Sequence, residues 1–333
     1  MNYTMSQKAA KVFGLLALST FSGILNAQIN WSPAGPIYTA GRARNMIVDK
    51  NDASGKTLYV GSTSSGVFKS TDGGINWAPV NDQASVRNVS YMAQANNGII
   101  WVGTGEGFLR YGQKAKAQKG TGLYKLTGNT LTKNNDSSAV GDVINRVACD
   151  PNNASHIALA TNRGILISTD GGTTFNPATG ITTTINVTFG MDLKFNNSGV
   201  LYCTIGNERG NHVPFTNVAT KVYKSTDGNL TNFTDITPIS GVLTDANYGR
   251  IELAIAPSND QVIYASIANK NNSLPTTQVP NSAGLKALFV SYDGGNTWGL
   301  IKAGSTQLDP LSNGGTVSTG DYAHCIVVNP SNP

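Results

Sequence analysis

Three eight-residue segments spell the same turn: STDGGINW (70–77), STDGGTTF (168–175) and SYDGGNTW (291–298). Each follows a short apolar run and sets a Ser, an Asp two places on and a Gly pair ahead of an aromatic residue. A looser copy, STDGNLTNF (225–233), has one extra residue before its aromatic, while LTGNTLTK (126–133) holds the equivalent place without the Ser or the Asp. One turn written this often requires a repeated supersecondary unit, because the geometry of a turn is tied to the strands it joins.

Five units can be aligned around these turns. The first part of each is an apolar strand running into an Asn-rich turn: NMIVDKND (45–52), VSYMAQANN (89–97), NRVACDPNN (145–153), MDLKFNNSG (191–199) and IELAIAPSND (251–260). A second strand follows (TLYVGS, IIWVGT, HIALAT, VLYCTI, VIYASI) and then a third (GVFKS, GLYKL, GILIS, KVYKS, ALFVS). The fourth is expected to end in an aromatic at Trp77, Phe175 and Trp298. Charged residues make up only 13% of the chain, and 37 of its 333 residues are Gly, as short strands joined by many turns require. The fold class is therefore all-β, a β-propeller of four-stranded blades, with blades at about 45–80, 88–133, 145–178, 190–235 and 250–301.

Asp72, Asp170, Asp227 and Asp293 are read as structural staples whose carboxylates accept backbone N–H groups of their own turn. Ser70, Ser168, Ser225 and Ser291 belong to the same motif, Gly74, Gly172 and Gly295 supply positive φ, and Trp77, Phe175 and Trp298 cover the turn. INWSP (29–33) repeats INWAP (75–79) and reads as a lone fourth strand that completes the last blade; HCIVVNPSNP (324–333) reads as the first strand of a next blade, within 323–333. The expectation is a fragment of five blades plus the start of a sixth.

Lys8 and Lys11 precede the apolar run 12–25, and Ala27 then offers a small residue for cleavage, so residues 1–27 read as a signal peptide and 28–333 as the mature, secreted or cell-surface propeller. The run is shorter than the ~20 apolar residues of a membrane span, so no span is expected after cleavage. The formal net charge of +5, two units of it from Lys8 and Lys11, is too small and dispersed for nucleic-acid binding. Cys149, Cys203 and Cys325 lie in apolar runs and read as small core residues, although one pair could meet between sheets; the spacing of His156, His212 and His324 is not that of metal ligands. No metal or cofactor is expected.

The repeated turn resembles the Asp-box of the bacterial-neuraminidase-repeat (BNR) propellers, a group that includes sialidases, xyloglucanases and the luminal domain of sortilin. WSPAGP followed by GRARNMIVD, and WVGTGEG followed by GLYK, look like secreted bacterial proteins with sortilin-like or glycosyl-hydrolase-like repeats. The resemblance implies the propeller over essentially the whole mature chain. Its catalytic features are missing: Thr63 stands where the xyloglucanases place an acid, and Arg42 and Arg44 precede the first box without the Arg-Ile-Pro segment of the sialidases.

In a four-stranded blade the 1–2 turn and the box turn share one face of the ring, while the 2–3 loops share the other with the inter-blade crossings. That second face carries the insertions 105–121, 206–220 and 268–286, so the site is expected there. The candidates for ligand binding are Glu106, Phe108, Arg110, Tyr111, Glu208, Arg209 and His212, with Lys114, Lys116 and Lys119 alongside and Asp142, Asp192, Asp245 and Asp321 on the crossings. Glu106 and Glu208 either pair as acid and base for glycoside hydrolysis or make loop-ordering ion pairs with Arg110 and Arg209. The function expected is a non-catalytic binding or scaffold module for a glycan or a cell-surface protein; the alternative is a glycoside hydrolase of xyloglucanase-like or sialidase-like fold.

Overall fold

The computed structural model describes residues 42–80, 86–108, 118–181, 188–207, 219–241, 243, 248–269, 284–303, 311 and 324–333. The chain divides into two compact units, Met1–Gly35 and Pro36–Pro333. All described residues belong to the second; residues 1–27, read as a signal peptide, and INWSP (29–33) lie outside them.

The described residues form five four-stranded antiparallel sheets, each in simple meander order. The first contains β1 (Ala43–Val48), β2 (Leu58–Ser62), β3 (Gly66–Ser70) and β4 (Ala78–Pro79); the second contains β5 (Val89–Gln94), β6 (Ile100–Thr104), β7 (Gly122–Thr127) and β8 (Thr130–Asp136). A single helical turn, α1 (Ser137–Val140), leads to the third: β9 (Ile144–Cys149), β10 (Ile157–Thr161), β11 (Gly164–Ser168) and β12 (Asn176–Pro177). The fourth holds β13 (Thr188–Phe195), β14 (Leu201–Asn207), β15 (Lys221–Ser225) and β16 (Phe233–Asp235), and the fifth β17 (Tyr248–Ala256), β18 (Asn259–Asn269), β19 (Leu285–Ser291) and β20 (Gly299–Ala303). Among the described residues no helix is long and apolar enough to cross a membrane.

Strands β10 and β11 are buried at every position, as continuous apolar runs must be when both faces of a sheet are covered. The core is thus a series of layers between successive sheets rather than one central core. Trp101 and Leu123 of the second sheet pack on Val147 and Leu159 of the third; Ile165 and Ile167 of the third meet Leu193, Cys203 and Tyr223 of the fourth. Tyr202 and Val222 of the fourth meet Leu253, Ile267 and Phe289 of the fifth. This is the layering of a β-propeller, whose sheets stand face to face around an axis.

Backbone hydrogen bonds fix the two faces. Gly73, Gly171 and Gly294 of the acidic turns donate to Lys56, Ser155 and Gln261 in the 1–2 connections of their own sheets. On the opposite face Gly66 of the first 2–3 hairpin donates to Arg87, and Gly120 of the second sheet's 2–3 connection donates to Asp142, both on crossings.

Three expectations need correction. Trp77, Phe175 and Trp298 immediately precede β4, β12 and β20, so the aromatic opens the fourth strand instead of ending it. Residues 324–333 carry no strand in the described structure; they lie against the fifth sheet, where Val328 packs with Ala256, Val262 and Val290, because a strand is defined by a ladder and none is formed here. Cys325 is exposed and not a core residue, and Cys149, Cys203 and Cys325 are all free thiols.

Candidate binding site at the propeller axis

Each innermost strand is interrupted near its start by a bulge. Beyond it, Asn45, Tyr91, Arg146, Asp192 and Glu252 sit opposite Gly61, Gly103, Ala160, Thr204 and Ser266 in equivalent registers. A bulge re-aims the side chains beside it, and here the polar ones tie sheet to sheet. Asn45 Oδ1 accepts Met92 N at 2.9 Å, Ser90 Oγ donates to Ile144 O at 2.5 Å, and Asn145 Nδ2 donates to Gly190 O at 2.7 Å.

The charged members of this ring meet. Arg146 Nη2 donates to Glu252 Oε1 at 3.0 Å and Oε2 at 2.9 Å, reaching from the third sheet to the fifth, while its Nε donates to Asp192 Oδ1 at 3.1 Å. Lys194 Nζ donates to the same Asp192 oxygen at 2.8 Å, and Asp192 Oδ2 accepts Leu253 N at 2.9 Å. Arg250 donates to Glu252 Oε1 from Nε at 2.7 Å and also from Nη2. The ring of Tyr91 lies 4.8 Å from the Arg146 guanidinium carbon, and Phe108 covers Arg250 at 3.6 Å.

Electrostatics follow from this packing. Burial alone would raise the Glu252 carboxyl, but Arg146 and Arg250 outweigh it and hold the group well below the usual carboxylate range. Burial opposes the charge on Arg146, which Glu252 and Asp192 more than restore. Burial, reinforced by Arg250, brings His324 down to about 4; its Nε2 shares a 2.7 Å hydrogen bond with Ser266 Oγ, whereas its buried Nδ1 has no partner among the described residues. Burial and the neighbouring Arg42 lower Arg44 to about 10.

Of the ligand-binding candidates read from the sequence, Glu106 and Phe108 are among the described residues, as are Lys119, Asp142 and Asp192 beside them; Arg110, Tyr111, Glu208, Arg209 and His212 lie outside them, as do Lys114, Lys116, Asp245 and Asp321. Glu106 is not an exposed loop carboxylate: its side chain is 15% exposed and pairs with Arg42 Nη2 at 2.8 Å. Phe108 is not a free stacking surface either, being buried with Val143, Phe189 and Met191 and edge-on to Phe189 at 5.9 Å. Phe108 turns inward, where it covers both apolar neighbours and a buried guanidinium. Sequence reasoning missed Arg146, Arg250, Glu252 and Lys194 as a group. The signal was a charge in an otherwise apolar first strand, in NRVAC, MDLKF and RIELA.

The acidic turns lie on the other face and are closed on themselves. In the third sheet Ser168 Oγ donates to Asp170 Oδ1 at 2.8 Å and accepts Gly172 N at 2.8 Å, while Asp170 accepts Thr174 N at 3.0 Å and Thr174 Oγ1 at 2.6 Å. Asp72 and Asp293 repeat the scheme with Asn76 and Thr297. Asp227 does so with Thr231, but there Ser225 Oγ accepts Leu201 N instead. Hydrogen bonds from the turn lower all four carboxyls to about 2.

No protein-family model matches the chain, and no curated protein does. Among solved structures it is similar to the GH74 enzyme of Niastella koreensis, at 22% identity and a TM-score of 0.55 over 78% of this chain and 38% of that one. The GH74 xyloglucanase of Xanthomonas campestris gives 18% identity and a TM-score of 0.52, with the same coverages. A weaker likeness, at 13% identity and a TM-score of 0.49 over 81% of this chain and 35% of that one, is to PorZ, an essential bacterial surface component of the type-IX secretion system of Porphyromonas gingivalis. The chain thus spans well under half the length of these proteins, and the likeness establishes its fold, that of a β-propeller.

Proposed function

We propose that the chain is part of a secreted or cell-surface β-propeller that binds a glycan or protein and is not itself a catalyst. One observation carries this reading: each carboxylate that the described residues bring to the axis is already spent on a cation. Glu252 is held by Arg146 and Arg250, Asp192 by Arg146 and Lys194, and Glu106 by Arg42. Glycoside hydrolysis needs one carboxyl that keeps its proton near neutral pH beside one that does not, and Glu252 is pushed the opposite way. The long-loop face, with Glu106, Arg110, Tyr111, Glu208, Arg209 and His212, is where a ligand would be met. The self-closed acidic turns favour assignment to the Asp-box repeats, and the Lys8 and Lys11 charges ahead of the apolar run 12–25 favour a signal peptide over residues 1–27.

The test is the full-length protein applied to glycan and cell-surface protein arrays and, in parallel, to a polysaccharide panel. Retention without release of reducing sugar is expected. Release of reducing sugar would favour the glycoside hydrolase instead.

A further inference from the structure

A groove of about 710 Å³ opens at the outer rim, between the end of β16 in the fourth sheet and the acidic turn ahead of β20 in the fifth; Ile236, Ile239 and Trp298 line it. The indole of Trp298 is fixed from one sheet to the other, since its Nε1 donates to Ile236 O at 2.7 Å, whereas Trp77 Nε1 donates to Gly74 O within its own turn. Ile239 is 66% exposed and Leu300 40%. Leu300 lies two residues beyond Trp298 and opposite Phe289, which packs in the layer between these two sheets, so it extends the apolar wall on the groove side. Apolar side chains gathered in water at one place mark a contact surface. The backbone beside them is also open. β16 pairs with β15 on one side, and among the described residues no strand pairs with its other edge, along which Thr234 to Thr237 line the groove in succession. Ile236 N is directed at Val222 O, and because directions alternate along an antiparallel strand, the N–H and C=O of Asp235 turn to the open edge.

We propose that this groove docks an extended, uncharged peptide segment of a partner protein, one with apolar side chains at alternate positions. Its backbone continues the fourth sheet by pairing with the outer edge of β16, and the side chains of one face enter among Ile236, Ile239, Trp298 and Leu300. The surface is separate from the proposed site on the long-loop face, because β16 and β20 are the strands farthest from the axis in their sheets. The polar groups of the groove favour a peptide over a saccharide. Asp235 Oδ2 pairs with Lys221 at 2.9 Å, while its Oδ1 accepts Thr237 N at 2.9 Å and Thr237 Oγ1 at 2.5 Å. Asn296 Oδ1 accepts Lys224 Nζ at 2.6 Å and its Nδ2 donates to Asp293 O at 2.7 Å. A saccharide needs such groups aimed at its hydroxyls, and here they are turned on one another. The Lys221–Asp235 pair leaves the lining without net charge, which matches an uncharged segment.

The test presents the immobilised full-length protein with capped peptides of about six residues, the usual length of a strand, in which threonine alternates with a randomised position; a neutral glucose tetrasaccharide is the comparison. Retained peptides should carry leucine, isoleucine, valine or phenylalanine at the randomised positions. In calorimetric titration they should bind Ile239→Ser roughly 10-fold more weakly, the loss of one anchor, and Ile239→Ser with Leu300→Ser more weakly still. Both side chains are exposed, so these variants should melt as the parent does. Ile75→Ser, at a still more exposed position on the acidic turn of the first sheet, should bind with the parent's affinity. Methylation of alternate peptide nitrogens should abolish binding, and hydrogen exchange of the Asp235 amide should slow in the complex, because both follow from pairing along the strand edge. Retention of no peptide, an affinity unchanged in the double variant, an unprotected Asp235 amide, or binding of the tetrasaccharide that the double variant loses would each overturn the proposal. None of these results bears on the long-loop face, which the arrays test separately.

Discussion

Replacing Glu252 by Leu removes the acceptor that joins the third and fifth sheets through the axis. Glu252 is 3% exposed and takes four hydrogen bonds, two from Arg146 and two from Arg250. The substitution leaves Arg250 buried without that carboxylate and Arg146 with Asp192 as its one remaining carboxylate among the described residues. Removing one partner of a buried ion pair costs about 3–5 kcal/mol, most of it the penalty for the stranded charge. In a cooperative unit of this size the melting temperature should fall by on the order of 10 °C. Lys194→Met is the control, because Lys194 is 30% exposed and Asp192 keeps both Arg146 and Leu253 N; its cost should be about 1 kcal/mol or less. Adding Arg250→Met to Glu252→Leu should restore more than half the loss, as apolar replacement of a whole pair generally does. Urea denaturation followed by tryptophan fluorescence measures all three. A loss below about 1 kcal/mol for Glu252→Leu, or no recovery in the double variant, would show that the cluster does not hold the inner strands together.

Other consequences are local. Ser168→Ala leaves Gly172 N without its acceptor at a site 1% exposed, and should cost about 1–2 kcal/mol by equilibrium unfolding. Gly172→Ala should cost more than about 2 kcal/mol, since its φ is +84° and the added Cβ would meet Trp101 Cη2 at 2.3 Å. Asp72, Asp170, Asp227 and Asp293 have folded values near 2, below the ordinary 3.8, so their contribution is complete above about pH 4 and disappears as pH falls through about 2. Melting temperature should therefore drop between pH 4 and 2, and the Asn variants of Asp72, Asp170 and Asp293 combined should flatten that drop; an unaltered pH curve would contradict the staple role.

The strand quartets and the acidic turns were legible because their determinants are local. Ser168, Asp170, Gly172 and Thr174 lie within seven residues and satisfy one another. The second sheet makes the same point differently: without Ser or Asp it turns on Gly128 and Asn129 between Thr127 and Thr130, a two-residue hairpin equally visible in the letters. The axis was not legible in this way. Arg146, Asp192 and Glu252 are brought together by three separate inner strands, and each alone reads as an ordinary strand or crossing charge. Their common register becomes apparent only when the bulges are aligned, because each bulge shifts the alternation of inward and outward side chains by one residue. Glu106 shows the other limit. Its partner is Arg42, ahead of the first sheet, and no local pattern in the 105–121 insertion distinguishes that choice from Arg110.

If the axis binds and does not catalyse, as proposed, Glu252 stays ionised throughout the working pH range. Carbon-13 spectra of the protein labelled at its Glu side-chain carboxyls, with Glu252 assigned by loss of its signal in Glu252→Gln, follow that ionisation directly. The account predicts a carboxylate whose shift stays flat from pH 7 down through pH 4 and begins to move only as the pH nears about 2. A Glu252 signal that titrates at pH 5 or above would contradict it, since such a carboxyl would hold a proton to donate under working conditions.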